Sequence, residues 1–492
     1  MNIFQASSIL IFALVAFVSA VASVGLGLWL LHISRQGVAR LFAPLLLLLS
    51  FIGVAAVALS GRILQANFGG PISDIVLLDV EGKLPVKLML GFLAGLAVVT
   101  LAGRLMQAQK EPTMPVALTA SFLAFYAASN MVPAAFGHEP VFFYSLIYMP
   151  LILLAICLAV PPNPSATLGL VKAALLLTVI TSLLAAFIVP TLALQDSPKA
   201  LIPGYGLRLW GLTSHANVLG SVALTLCLLE WAAPYHATLA HRLSLLAGAV
   251  ALVWTQSKTS LAAAAVAIVV IAAYRAIKGI RQLPPRAHTK ATKQDFIPLL
   301  VLFAGLALVA TTLVAVVLGD EIGLSNALAK RLAAFDFGTV QGRTLIWQQA
   351  IVEGLNYPLF GYGLNLWGTE YRLATGLTSA FHAHNQFLQV FSVAGVFGTV
   401  SFVVYLAVLG RMSFVTARAS RGASLALFVV LLVRSIAEVP IQFAVSGELL
   451  PHLAFLLMVG TLYRQSRGAQ AEAARSSRPK QPFQRAGLAH ER

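Results

Sequence analysis

Residues 41–60 read LFAPLLLLLSFIGVAAVALS, a run of twenty residues that contains no charged side chain. An α-helix rises about 1.5 Å per residue, so this run would extend about 30 Å, the thickness of the hydrocarbon layer of a membrane. The core helices of soluble proteins are usually shorter and have one polar face. The stretch therefore predicts a helix that crosses a membrane.

Similar runs recur along all 492 residues, of which 59% are hydrophobic and 10% charged. Soluble domains usually contain about 25% charged residues, and the mean hydropathy here is +0.86. No large soluble domain fits between the runs. We predict an all-α, polytopic integral membrane protein with about twelve to thirteen transmembrane helices, near residues 9–31, 41–60, 86–103, 114–133, 141–160, 173–190, 215–233, 243–257, 259–274, 296–318, 385–410, 423–440 and 449–463.

The basic residues are distributed unevenly between the predicted loops. Most of the 33 Lys and Arg residues lie in alternate loops and in the C-terminal tail, which places those segments in the cytoplasm. The net charge of +16 then reflects topology and contact with anionic membrane lipids, and nucleic acid is not expected as a partner. We expect residues 1–465 to form the membrane domain and residues 466–492 to be a disordered, basic cytoplasmic tail.

One loop on the opposite, outer face is much longer than a usual helix connection, from about residue 319 to 384. Within it, ALAKRLAAF (residues 327–335) predicts a short amphipathic helix. GRTLIWQQAIVEGL (residues 342–355) predicts another, with Arg343 in its first turn and Trp347, Ile351 and Leu355 along one face. Long loops of this kind usually carry function.

The stretch FHAHNQFL (residues 381–388) ends this loop and contains two histidines. Arg343 and Arg208, the latter in the outer loop 191–214, are predicted on the same side of the membrane. Guanidinium groups bind phosphate oxygens bidentately, whereas histidine can take a proton from a hydroxyl group. The combination suits transfer of a group from a phosphate ester or pyrophosphate to an alcohol. No nucleotide-binding motif accompanies it.

His382 and His384 could also suggest a metal site. Side chains at i and i+2 point in opposite directions on a strand and are far apart around a helix. Both could bind one ion only from an irregular loop with a third ligand, for which Glu370 or His215 is conceivable. We therefore expect no metal and no cofactor. His384 is expected to face the site, His382 to support it, and Asn385 to cap the next helix.

Three charged residues fall within or beside apolar segments, where charge is costly. Arg434 and Glu438, in VRSIAEVP (residues 433–440), are four residues apart and are expected to neutralise each other on one helix face. Lys258, in WTQSKTSL (residues 254–261), lies at an outer turn and is expected to extend its ammonium group to the interface.

The motifs together resemble a known family. GRTLIWQQAIVEGLNYPLFGYGLN followed by FHAHNQFLQVFSVAGVFG resembles the signature region of the O-antigen ligase and polysaccharide polymerase superfamily. RLWGLTSHANVLG and TQSKTSL, farther upstream, resemble members of that group, particularly exopolysaccharide polymerases. The resemblance covers about residues 203–400. Members are usually described with about twelve spans and both ends inside, so the first predicted span is an addition or a miscount.

The resemblance implies a GT-C-like membrane glycosyltransferase at the periplasmic face of the bacterial inner membrane. It implies an undecaprenyl-pyrophosphate-linked glycan as donor, a glycan or lipid-linked acceptor, and metal-independent chemistry. By this resemblance, Arg208 and Arg343 would engage the pyrophosphate and His384 would be the base. Residues expected to bind substrate or to support the site, apart from the resemblance, are His382, Asn385, Trp347, Lys258, Arg434 and Glu438. A polymerase is favoured. The alternatives are a ligase acting on lipid A-core or on protein, and a polysaccharide transporter or flippase.

Overall fold

The computed structural model of the chain describes residues 37–64, 84–107, 114–197, 201–202, 206–281, 338–378 and 380–476. The predicted spans near 9–31 and 296–318 and the segment ALAKRLAAF lie outside these residues. So do residues 477–492 of the predicted tail.

The described residues are mostly helical. A turn of 3₁₀-helix (Val38–Leu41) leads into the first of fifteen α-helices in these ranges. The helices are α1 (Phe42–Ala58), α2 (Leu84–Met106), α3 (Val116–Tyr126), α4 (Val132–Phe136), α5 (Ser145–Ala159), α6 (Pro164–Ile188), α7 (Pro190–Ala193), α8 (Ala216–Ala232), α9 (Thr238–Trp254), α10 (Lys258–Arg281), α11 (Gly338–Asn356), α12 (Thr369–Thr375), α13 (Gln386–Thr416), α14 (Ala423–Ala437) and α15 (Leu449–Ser476).

The length and composition of these helices confirm a polytopic membrane protein. Within the described ranges, six continuous helical segments are long and apolar enough to cross a membrane, and four shorter ones are also apolar. Large apolar side chains such as Leu88, Phe187 and Val400 are exposed on the outside of the bundle. Such surfaces are expected where the solvent is lipid, since burial between helices is then no longer the only favourable environment for them.

The helices pack around one large apolar core. Its members come from α1, α2, α3, α5, α6, α7, α8, α9, α10, α13, α14 and α15. Phe122, Phe125, Phe402 and Tyr405 are almost completely buried at its centre. Phe125 and Tyr405 stack with ring centroids 5.8 Å apart. A second, smaller core lies between α11, the segment that follows it and α13, and it includes Ile346, Ala350, Trp367 and Val393.

The C-terminal helix corrects one prediction. α15 continues to Ser476, so the expectation of disorder from residue 466 is wrong up to that residue. The lack of an apolar period there does not prevent a helix from continuing beyond a span, because good helix formers such as Ala, Gln, Glu and Arg dominate this stretch.

α13 contains a break at Gly395, whose φ of 62° and ψ of −158° are not helical. A Cβ at this position would lie 2.5 Å from the carbonyl group of Leu359, so only glycine fits. The turn after α11 inserts at the break, and Val396 N donates to Pro358 O at 2.7 Å. In return, Tyr362 N donates to Ser392 O at 2.9 Å. The turn thereby satisfies backbone groups that the broken helix leaves open.

α11 agrees with the predicted helix in position and end, but its buried face differs. Ile346, Ala350 and Glu353 are buried, whereas Ile351 and Leu355 are exposed. Trp347, Ile351 and Leu355 do lie on one face of the helix, as predicted, but this apolar face is not the buried one, because apolar side chains of a membrane protein can face lipid as readily as the core. The turn NYPLFGYG does end the helix, at Asn356.

The loop between α7 and α8 is held by a buried arginine. β1 (Leu194–Asp196) and β2 (Leu207–Leu209) form an antiparallel pair, with Arg208 in the middle of β2. Arg62 donates to the carbonyl oxygens of Leu192 at 3.1 Å, Thr213 at 2.6 Å and Gly211 at 2.6 Å. Three carbonyl groups are thus satisfied by one side chain, which fixes the approach to α8.

Candidate functional site

Glu438 is the centre of a cluster of polar side chains at one end of the helix bundle. The residue follows α14 and has extended backbone angles, and it is 6% exposed. Its Oε1 lies 3.5 Å from Arg343 Nη2, and its Oε2 lies 3.6 Å from His384 Nδ1. Burial alone raises the pKa of Glu438, but His384 and the Arg343 guanidinium outweigh it and lower the pKa to about 2. The group is therefore a carboxylate at neutral pH.

Arg343 and Asn385 both reach the C-terminal end of α14. Arg343 Nη1 donates to Ala437 O at 2.8 Å, and Asn385 Nδ2 donates to Ile436 O at 3.2 Å. The last carbonyl groups of a helix have no partner within it. Side chains from two other parts of the chain therefore satisfy them here.

A second set of residues joins the cluster from α8 and from the turn between α9 and α10. Asn217 Nδ2 donates to Glu438 Oε1 at 2.8 Å. Ser257 Oγ donates to Asn217 Oδ1 at 2.9 Å and lies 3.0 Å from Ser260 Oγ. The stretches SHAN and SKTS, far apart in sequence, thus form one hydrogen-bonded unit with Glu438.

The two histidines of FHAHNQFL lie side by side, with ring centroids 4.1 Å apart. His384 has a φ of 48°, a conformation that non-glycine residues rarely adopt and that is often found at functional sites. His384 N donates to His382 Nδ1 at 3.1 Å. The expectation that the two side chains diverge is wrong, because it assumed a regular strand or helix.

Asn385 caps α13 as predicted. Its Oδ1 accepts hydrogen bonds from Phe387 N at 2.9 Å and Leu388 N at 3.1 Å. The cap defines where α13 begins and so fixes the backbone immediately after His384.

His215 connects Arg208 to the cluster. It caps α8 through its Nδ1, which accepts from Asn217 N at 3.1 Å. Burial and the Arg208 guanidinium lower the pKa of His215 to about 4, although Glu438 acts in the opposite direction. Burial and the neighbouring His384 likewise lower the pKa of His382 to about 3. Arg208 itself donates from Nε to Thr255 O at 3.2 Å.

Arg434 pairs with a residue other than the one predicted. Its guanidinium contacts both carboxylate oxygens of Glu448, at 2.6 Å and 3.1 Å, and also Ser221 Oγ. Both members of the ion pair are buried. The predicted pair with Glu438 does not form, because α14 ends at Ala437 and the next residue leaves the helical path.

Two further predicted residues lie at the edge of this arrangement. Trp347 is half-buried on α11, and its Nε1 has no hydrogen-bond partner within the described part of the chain. Lys258 begins α10 and is exposed, next to Ser257 of the polar unit.

Metal ligands could also be drawn from the cluster. His382, His384 and Glu438 each offer one ligand atom, and these atoms lie within 4.8 Å of one another. The two features that a shared ion requires, an irregular loop and a third ligand, are therefore both present. The third ligand would be Glu438, and not Glu370 or His215 as considered from the sequence. Metal independence stays a prediction.

Sequence reasoning did not assign roles to Asn217 or Ser257 and considered His215 only as a conceivable metal ligand, although each belongs to the cluster. The available signal was their presence in RLWGLTSHANVLG and TQSKTSL. A polar side chain at the first turn of a long apolar helix, like an intramembrane charge, is usually satisfied by a specific partner.

Comparison with curated proteins found no match. Residues 243–403 match the family model described as O-Antigen ligase. The matched stretch begins in α9 and ends in α13, so it contains Ser257, Arg343 and both histidines of the cluster. Residues 243–403 of this membrane protein are therefore an O-antigen ligase family domain.

Proposed function

We propose that the protein transfers a glycan from undecaprenyl pyrophosphate to an acceptor hydroxyl group, at the periplasmic face of the bacterial inner membrane. The observation that carries the proposal is the meeting of Arg343, Glu438 and His384 at one end of the bundle. A guanidinium and an imidazole at adjacent positions suit a reaction with an anionic leaving group and an alcohol nucleophile.

In the proposed reaction, His384 takes the proton from the acceptor hydroxyl while the oxygen attacks the anomeric carbon of the donor sugar. A new glycosidic bond forms, and the bond between that carbon and the pyrophosphate oxygen breaks. The leaving oxygen keeps the bonding electron pair, and the arginines stabilise the resulting pyrophosphate charge. His384 ends the step as an imidazolium, so charge and protons balance.

Arg208 is proposed as the second pyrophosphate ligand. It is half-buried and close enough to His215 to affect the pKa of that residue. The charges of Glu438 and His384 also affect the pKa of His215, so His215 lies between Arg208 and the cluster. Beside its loop, Ile202, Val250, Val253 and Trp254 line an open apolar cavity of about 510 Å³. A lipid-linked donor needs both environments, an anion site and an adjoining apolar surface.

Among acceptors, we favour a second lipid-linked glycan, which makes the protein a polysaccharide polymerase. The support is the polar unit of Asn217 and Ser257, formed by the two stretches that resemble exopolysaccharide polymerases. The alternative is a ligase that acts on lipid A-core or on protein. The transport alternative has less support, because the polar residues gather at a helix end and not halfway along the spans.

The test uses purified protein in detergent with a labelled undecaprenyl-pyrophosphate glycan and each candidate acceptor. His384→Ala should bind the donor but lose about 10²–10⁴-fold in transfer, since general base catalysis typically contributes that much. His236→Ala, an exposed histidine outside the cluster, is the matched control. Full transfer by His384→Ala would disprove the assignment of the base, and a product extended on lipid A-core would favour the ligase.

A further inference from the structure

We propose that Glu438 is the positioning residue for His384: its carboxylate accepts the Nδ1 proton of the imidazole and thereby leaves Nε2 as the atom that takes the proton from the acceptor. The inference rests on the proposed function of His384. It concerns a residue that the sequence had placed in an ion pair with Arg434.

The carboxylate of Glu438 lies beside His384 Nδ1. The atom is buried and makes no hydrogen bond within the described residues, while Glu438 Oε2 lies 3.6 Å from it. A buried nitrogen without a partner is costly. A protonated Nδ1 would be stabilised by this carboxylate, whereas an Nδ1 lone pair would face it with like charge. A neutral imidazole has one proton, so Nε2 then carries the free lone pair.

The carboxylate is itself held in a fixed orientation. Its other oxygen, Oε1, accepts from Asn217 Nδ2 at 2.8 Å and lies 3.5 Å from Arg343 Nη2. Asn217 is fixed in turn by Ser257. These donors keep Oε1 on the side of α8 and α11, so that Oε2 points towards His384.

The neighbouring histidine cannot take the same role. His382 Nδ1 already accepts the backbone N–H of His384, which fixes the proton of the neutral ring on Nε2. His382 can therefore donate a hydrogen bond from Nε2 but has no free lone pair for a proton. Of the two imidazoles, only His384 has the arrangement that a base requires.

The same three side chains could hold a cation, but Arg343 argues for positioning. Its guanidinium lies against Glu438 Oε1 and would repel a divalent cation bound to that carboxylate. During the reaction the acceptor proton moves to Nε2, the Nδ1 proton stays in place, and Glu438 stabilises the positive charge that forms on the ring.

The decisive variant is Glu438→Gln. Its amide oxygen can still accept from Asn217 and Arg343, but its NH₂ group would face His384 Nδ1 and favour the tautomer with the proton on Nε2. We expect donor binding to be retained and kcat to fall by about 10²–10⁴-fold. Glu139→Gln, an exposed carboxylate bonded to Tyr362, should behave as wild type. Unchanged kcat in Glu438→Gln, or lost donor binding, would overturn the proposal.

A double variant separates positioning from a general structural effect. If Glu438 acts through His384, Glu438→Gln combined with His384→Ala should be no slower than His384→Ala alone. A further loss in the double variant would contradict the inference. So would loss of wild-type activity on chelator treatment with recovery on adding Zn²⁺ or Mg²⁺, which would make Glu438 a ligand. If His384→Ala alone keeps full transfer, the proposed function fails independently of Glu438.

Discussion

The buried ion pair between Arg434 and Glu448 gives a quantitative test of how α14 is held in the bundle. Arg434→Met would leave the Glu448 carboxylate buried without its bidentate partner. Removing one member of a buried ion pair typically destabilises a protein by about 3–5 kcal/mol. We expect a loss of this size in the free energy of unfolding.

The compensating variant identifies the partner. Replacing both charges, as in Arg434→Met with Glu448→Met, removes the isolated carboxylate and should recover most of the loss, since apolar replacements of buried pairs are often neutral. Arg434→Met with Glu438→Gln should not recover it, because Glu438 contacts Arg343, Asn217 and His384 instead.

The measurement is equilibrium unfolding of the purified protein by a denaturing detergent, with the free energy compared across wild type, single and double variants. Coupling between contacting residues appears as a non-additive term. The structural reasoning would be refuted if Glu438→Gln, and not Glu448→Met, restored the stability of Arg434→Met.

Three further predictions concern the site and the loop that supports it. Arg343→Lys should lose most transfer although the charge is kept, since an ammonium cannot form a bidentate fork; equal kcat would show that charge alone suffices. Gly361→Ala should be clearly less stable than Gly376→Ala in thermal unfolding, because both have positive φ but only the first would place a Cβ 2.3 Å from the α13 backbone; equal losses would contradict the packing. Folding lowers the pKa of His215 to about 4 and that of His382 to about 3. Below about pH 6.5, the ordinary histidine pKa, the unfolded chain therefore binds more protons at these two residues than the folded protein does. Stability should then fall with pH from about 6.5 down towards these values, by up to about 1.4 kcal/mol per pH unit for each histidine, and His382→Gln should reduce that slope.

The membrane architecture could be predicted because the bilayer imposes simple rules. A span must satisfy its own backbone hydrogen bonds and cover the hydrocarbon thickness, so run length and hydropathy locate helices such as α1 and α6. Asn385 was likewise predictable as a cap, since its side chain precedes an apolar run. Arg343 and His384 were predicted to lie on the same side of the membrane because both were expected in the same outer loop, and this limits the part of the molecule in which they can come into contact.

The partner of Arg434 could not be found by helical spacing. The i,i+4 rule holds only while the helix continues, and Glu438 already has φ −148° and ψ 178°. Pro440 was a local signal, since a proline disfavours the helical conformation of the residue before it, here Val439, and helices usually end at or before that residue. The rotation at Glu438 is what directs its carboxylate to Arg343 and His384 and leaves Arg434 to Glu448.

The close approach of His382 and His384 was hidden for a similar reason. Arguments from periodicity assume a repeating backbone. At His384 a single residue with left-handed backbone angles turns the chain back, so that its own N–H group donates to the Nδ1 of His382. No short-range pattern distinguishes this turn from an extended segment. The tertiary contacts of the loop, including Ala383 in its small apolar core, select it.

Asn385 holds His384, which precedes α13, and Glu438, which follows α14, in a fixed arrangement. Its Oδ1 accepts from the first N–H groups of α13, while its Nδ2 donates to a last carbonyl of α14. One side chain therefore joins the N-terminal end of one helix to the C-terminal end of another, immediately between His384 and the end of α14 that precedes Glu438. Aspartate could replace the first interaction but not the second, since it has no donor and its charge is unfavourable at a helix C-terminus. An amide is the side chain that satisfies both helix ends at once, and this requirement follows from the relative positions of His384 and the Glu438 carboxylate rather than from the capping of α13 alone.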